Sequence, residues 1–132
     1  MAKKKILFVD DEPHVVILMK RRLEHVGYEV TTAADGRDAF AKAQKDQPDL
    51  LVVDQTMPQM TGVELCHLLK KEPAAQKIPV IIYTANTERG IEAKCIEAGA
   101  VGVIYKPLVA ELLILIKHVL DGEKIDWAEY TA

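Results

Sequence analysis

The sequence predicts an α/β fold: a doubly wound, five-stranded parallel sheet of order 2-1-3-4-5 with helices on both faces, a three-layer sandwich. Three observations lead there. Short strand-like runs alternate with helical patterns five times along the chain, the rhythm of βαβ units. Four of the runs are unbroken apolar stretches, as in strands buried on both faces, whereas one alternates like a strand at a sheet edge. Glycine or proline punctuates each helical pattern.

The first strand is ILFV, residues 6–9. Pro13 suits the first turn of a helix, and Val16, Met19, Leu23 and Val26 follow at helical spacing until Gly27. YEVTTA, residues 28–33, is the alternating edge strand. Ala39, Phe40 and Ala43 mark a second helix, ended by Pro48. LLVV, residues 50–53, is the third strand. After Gly62, the positions Val63, Cys66, Leu68 and Leu69 pattern a third helix that stops before Pro73. VIIY, residues 80–83, is the fourth strand, and Ile91, Cys95 and Ala98 pattern the fourth helix up to Gly99. VGVIY, residues 101–105, is the fifth strand. Leu108, Leu112, Leu115 and Val119 lead the last helix, closed by Gly122. No internal linker, repeat or low-complexity segment interrupts this order. One domain is therefore assigned to residues 1–121, and residues 122–132 to a C-terminal tail or the start of a linker.

Composition narrows the function classes. A chain of 132 residues, 49% hydrophobic and 28% charged, suits one soluble domain with a real core. A net charge of −3 gives no general nucleic-acid surface, and Lys3, Lys4 and Lys5 read as a solvated N-terminus. Cys66 and Cys95 are too few and too far apart for a metal site, so reduced, buried or half-buried thiols are expected. The apolar stretch Ile6 to Val9 is too short for a signal peptide. The longest one, residues 108–120, carries Glu111, Lys117 and His118 and is too short to span a bilayer. The expectation is a cytoplasmic protein with no membrane segment and no nucleic acid bound by this chain.

The apolar strands share a second property: each ends in a polar residue. ILFV ends in Asp10-Asp11, LLVV in Asp54, VIIY in Thr84 and VGVIY in Lys106. In open α/β sheets, ligands bind beyond the carboxyl ends of the strands, where strand order reverses. Any one of these residues read alone is an ordinary strand end. Together they place three carboxylates, a hydroxyl and an ammonium in one crevice. Crowded carboxylates are unfavourable unless a cation joins them. Hard oxygen ligands at a partly open site suit Mg²⁺, which is usually shared with a phosphate. Lys106 can pair with a carboxylate or a phosphoryl oxygen, and Thr84 can donate its hydroxyl to the same oxygen. A carboxylate is also a nucleophile toward phosphorus. The crevice reads as a place where an aspartate accepts a phosphoryl group while metal and lysine stabilise the transferred charge.

Four fragments in order, VDDE at 9–12, VVDQTMPQMTG at 52–62, PVIIYTA at 79–85 and GAVGVIYKPL at 99–108, make the chain resemble the receiver domain of two-component response regulators. That family has the flavodoxin-like fold of the chemotaxis response regulator, and the resemblance covers residues 4 to about 121. It implies that Asp54 is the phosphoacceptor, charged by a histidine kinase or phosphotransfer protein. It implies that Asp11 binds Mg²⁺ directly, Asp10 through water, and the backbone carbonyl of Thr56 as the third protein ligand. Thr84 matches the switch hydroxyl and Lys106 the phosphate-contacting lysine. Pro107 matches a proline preceded by a cis bond, and Pro58 and Gly62 match the turn that leads into the third helix. The family is regulatory, promoting only its own phosphorylation and dephosphorylation. Its fourth helix, fifth strand and fifth helix commonly form the surface for a homodimer or an output partner.

One position departs from the family pattern. An aromatic residue often stands three before the lysine; here it is Val103. Tyr105, adjacent to the lysine, is assigned to the opposite face of the strand and so is no obvious substitute. Residues 108–120 are apolar nearly all round, with Leu113, Ile114 and Leu120 exceeding the one stripe a packed helix needs. They are either deeply covered or a partner face. His14, His25, His67 and His118 lack ligand spacing and read as surface or helix-face residues, and Glu12 as solvent-facing. Thr56 and Asn86 lie beside the site, where they can tune its lifetime. Trp127, the only tryptophan, lies in the tail. Rival readings are weaker. A flavin module needs a hydroxyl- and glycine-rich loop where DDEP stands. A small phosphatase with an aspartate nucleophile on the first strand needs an Asp where Glu12 stands. A phosphorylation-independent interaction module with the same fold would lack one of the key groups.

Overall fold

The computed structural model describes residues 2–132. Five strands, β1 (Lys5–Val9), β2 (Glu29–Ala33), β3 (Leu50–Val53), β4 (Val80–Thr84) and β5 (Gly102–Tyr105), form one parallel sheet ordered β2-β1-β3-β4-β5. The interleaved helices are α1 (Pro13–Val26), α2 (Gly36–Asp46), α3 (Gly62–Lys71), α4 (Ile91–Glu97) and α5 (Val109–Leu120). A short sixth helix, α6 (Trp127–Tyr130), lies in the tail.

Helix boundaries follow local chemistry. Pro13 opens α1, and Gly27 at φ 118° closes it in the left-handed region that a β-carbon disfavours. Asp35 caps α2 by accepting from the Asp38 N–H. Thr61 and Glu64 form a reciprocal capping box at α3. The alternating β2 is a sheet edge, as its pattern predicts, and β1, β3 and β4 are buried along nearly their whole length.

Alternate strand residues feed two cores. Ile6, Phe8, Val52, Ile81 and Ile104 pack under α1 and α5, with Leu23, Leu112 and Leu115. Leu7, Val9, Val53, Ile82 and Val103 pack under α2, α3 and α4, with Leu65, Leu69 and Cys95. Tyr105 joins this second core, so its assignment to the opposite face from Val103 is corrected. Residues two apart on a strand share a face, and 103 and 105 obey that rule.

The register brings Val9, Val53 and Ile82 level, so the residues just after them emerge together. Of the surplus apolar positions on α5, Leu113 and Leu120 are half-buried against the α1–α5 core, while Ile114 is 54% exposed. The outer edge of β2 is guarded by two ammonium groups. Lys20 Nζ donates to the Val30 carbonyl at 3.3 Å and Lys42 Nζ to the Thr32 carbonyl at 2.6 Å. Charge at an edge strand discourages pairing with another chain.

Candidate functional site

Asp10 and Asp54 are the residues that directly follow β1 and β3. The Asp10 N–H donates to the Ala33 carbonyl, and the Asp54 N–H to the Val9 carbonyl, so both are locked to neighbouring strands. Their carboxylates are almost fully buried, at 1% and 6% exposure. Asp10 Oδ1 accepts from the Glu12 N–H at 3.0 Å, and Asp54 Oδ1 from the Thr56 N–H at 3.2 Å. Asp11 completes the cluster: one oxygen of each of the three carboxylates lies within 4.8 Å of the others.

Lys106 reaches this cluster from the end of β5. Its Nζ donates to Asp10 Oδ2 at 2.7 Å and to Asp54 Oδ2 at 3.1 Å. Its backbone N–H donates to the Thr84 carbonyl, and the peptide bond to Pro107 is cis. Two buried carboxylates thus share one cation. Burial pushes Asp10 above the ordinary carboxylate range, and the lysine offsets that only in part. Lys106 is held above its own ordinary value: burial works against this, and hydrogen bonding and attraction to Asp10 outweigh it. One lysine against three carboxylates leaves the crevice short of positive charge.

Thr84, fully buried, ends β4 next to the cluster. Its hydroxyl oxygen accepts from the Asn86 N–H at 3.1 Å, and the Asn86 amide donates to Thr56 Oγ1 at 3.0 Å. These two bonds tie the loop after β4 to the loop after β3. Gly62 is required by close approach: a β-carbon there would lie 2.8 Å from the Asp54 carbonyl oxygen. Gln55 was not foreseen from the sequence. It is 7% exposed, its carbonyl accepts the Gly62 N–H, and its side chain accepts the Val63 N–H at 2.9 Å. It anchors the start of α3 to the phosphoacceptor candidate's strand; the hint was a second polar residue, after Asp54, at the end of a buried run. Pro58 stays on the exposed part of that turn, with its carbonyl accepting the Met60 N–H.

The profile of the response regulator receiver domain matches residues 6–117. The chain belongs to that family. Among its relatives, the alkaline phosphatase synthesis transcriptional regulatory protein PhoP of Bacillus subtilis is 39% identical over 104 residues, 79% of this chain and 42% of PhoP. The response regulator PleD of Caulobacter vibrioides is 40% identical over 104 residues, 79% of this chain and 23% of PleD. The receiver domain therefore spans less than half the length of these curated relatives. Among solved structures, chemotaxis protein CheY4 of Vibrio cholerae matches with TM-score 0.83 at 36% identity, covering 89% of this chain and 99% of that one. A CheY-like receiver domain protein from Methanospirillum hungatei matches with TM-score 0.85 at 32% identity, covering 92% and 96%. Among the described residues, no helix of this receiver domain is long and apolar enough to cross a membrane.

Proposed function

We propose that this receiver domain accepts a phosphoryl group on Asp54 from a histidine kinase or phosphotransfer protein, with Mg²⁺ as cofactor, and signals through a change in its surface. The observation that supports this best is the shared lysine: the buried carboxyl groups of Asp10 and Asp54 are bridged by Lys106, with Asp11 in the same cluster. An all-oxygen donor set this close fits Mg²⁺, held by Asp11, Asp54 and the Thr56 carbonyl, with Asp10 acting through water. When bound, the ion neutralises charge on the transferring phosphoryl oxygens.

The chain's own residues do the rest. An Asp54 carboxylate oxygen attacks phosphorus, the bond from phosphorus to the donor's imidazole nitrogen breaks, and that nitrogen keeps the electron pair and takes a proton. Lys106, already 3.1 Å from Asp54, turns from a carboxylate oxygen to a phosphoryl oxygen. Thr84, whose oxygen accepts from the Asn86 N–H, donates its hydroxyl hydrogen to the same group. The domain is regulatory and no enzyme toward other substrates. Its setting is cytoplasmic, and residues 1–121 carry the reaction while 122–132 are an appended tail. The output goes to a partner or second copy, not to nucleic acid bound by this chain.

Acetyl phosphate with Mg²⁺ should add one phosphoryl mass to the intact protein and none to Asp54→Ala. Equal labelling of the variant would remove Asp54 from the role.

A further inference from the structure

The β5 edge of the sheet is guarded differently from the β2 edge. Among the described residues, no lysine ammonium donates to a β5 carbonyl. Instead the chain turns back after α5, and Trp127 of α6 wraps round the edge from one face to the other. On the α5 side the ring lies directly on Gly102: a β-carbon there would meet the ring at 2.5 Å and Leu115 at 2.8 Å. On the α4 side its indole N–H donates to Glu92 Oε2 at 2.9 Å. The ring belongs to both hydrophobic cores. The other oxygen of the same carboxylate, Glu92 Oε1, accepts from the Tyr105 hydroxyl of β5 at 3.0 Å. Glu92 thus clamps the tail and the edge strand together.

The tail is held by this clamp together with the packing of Trp127 and the half-buried Ile125 against the α1–α5 core. A four-residue helix has no stability of its own. Tyr130 stacks on Trp127 at 5.5 Å and stays 40% exposed. His118 and Glu123, 2.7 Å apart, fix the turn after α5, and the His118 ring meets Tyr130 edge-on at 6.0 Å. Among the described residues, no backbone hydrogen bond joins 123–132 to β5. Beside the ring, a cleft of about 340 Å³ stays open, with Leu108 and Ile114 exposed at 46% and 54%. Remove the tail and the edge strand, its apolar neighbours and this cleft become one continuous surface, which is the arrangement that pairs with another copy.

We propose that the Trp127 segment is a tethered occupant of the α4–β5–α5 face, clamped by Glu92, and that its occupancy holds off a second copy of this chain. The inference does not rest on the phosphorylation chemistry, so it is tested without any phosphodonor. Trp127 is the sole tryptophan, so its fluorescence reports docking directly. In the intact chain, acrylamide should quench it several-fold less than a free tryptophan derivative. Glu92→Ala should shift the emission to the red and restore quenching. Sedimentation equilibrium should show at least tenfold tighter self-association for both Glu92→Ala and Trp127→Ala than for the unaltered chain. A Trp127 as quenchable as the free derivative in the unaltered chain would overturn the proposal. So would self-association unchanged in both variants while circular dichroism shows them folded.

Discussion

Two carboxylate junctions flank consecutive residues of one strand end. Lys106 turns into the crevice and joins Asp10 and Asp54. Tyr105, one residue earlier, turns the other way and joins Glu92, which also takes the Trp127 indole. The Glu92 junction is satisfied: each oxygen accepts one neutral donor, and the carboxylate is half-buried, so water screens its charge. The crevice is unfinished. Its carboxylates are buried, one ammonium serves two of them, and a third acid stands within 4.8 Å. A satisfied junction holds two segments together. An unfinished one has unspent affinity for a cation, and that is where chemistry belongs.

The largest expected effect comes from taking the cation away. Lys106→Ala leaves two buried carboxylates without a partner, and breaking a buried pair costs about 3–5 kcal/mol. Asp10 can escape part of that by taking up a proton. A carboxyl raised in the folded state binds more protons there than in the unfolded chain, so it lowers stability as pH rises from 3.8 through its raised value. The Lys106→Ala deficit should therefore be larger at pH 7 than at pH 4, in urea unfolding followed by circular dichroism. Equal deficits would mean that Asp10 does not feel the lysine. Mg²⁺ comes next. At about a hundredfold excess over its Kd it should stabilise the unaltered chain by about 2.7 kcal/mol. Asp11→Ala should lose most of that gain while being more stable than the parent without metal, since repulsion in the crevice falls. An undiminished Mg²⁺ gain in that variant would place the ion elsewhere.

The unequal legibility of the two junctions has a physical cause. The crevice is made by residues at fixed positions relative to their strands: Asp10 follows β1, Asp54 follows β3, Lys106 follows β5. Strand boundaries can be read from apolar runs, and parallel register then brings their ends level, so sequence order was enough. The clamp needs contacts that no periodicity encodes. Glu92 is an ordinary acid in the first turn of α4, and Trp127 an aromatic in a polar tail. Only the path of the chain after Gly122 unites them. Tyr105 shows the limit more sharply: period 2, properly counted, puts it on the face of Val103, opposite to the one first assigned, and no period encodes its partner Glu92. Gln55 was missed because it acts on backbone groups of a turn whose shape is set by Gly62 and Asp54.

A buried thiol gives a third case, a group with neither a partner nor a charge. Burial raises Cys66 to about 11, and the side chain is fully enclosed between α3 and the sheet. Between pH 9 and about 11 the folded chain keeps a proton that the unfolded chain releases, so stability should fall as pH rises through that window. The drop expected from this one thiol is roughly 1–3 kcal/mol. Cys66→Ala should unfold more easily at pH 7 yet lose less on going from pH 8 to pH 10.5. A parallel loss would show that alkaline weakening comes from other groups.

The smallest effect belongs to the satisfied junction, and its smallness is the test of the comparison. Tyr105→Phe removes one donor from Glu92 and leaves the ring in place. Burial and the Glu92 bond hold the phenol above its ordinary range, so at neutral pH it donates and carries no charge. The carboxylate it leaves is open to water, which can replace the lost bond, so no buried group is stranded. The expected cost is about 0.5–1.5 kcal/mol, the net worth of a single hydrogen bond. Mg²⁺ affinity should not change, even though the substitution lies next to Lys106, because adjacent strand residues point to opposite faces. Calorimetric Mg²⁺ titration of Tyr105→Phe against the parent measures this directly. A several-fold change in affinity would mean that the two junctions communicate across β5, and that the strand end transmits the state of the crevice to the tail.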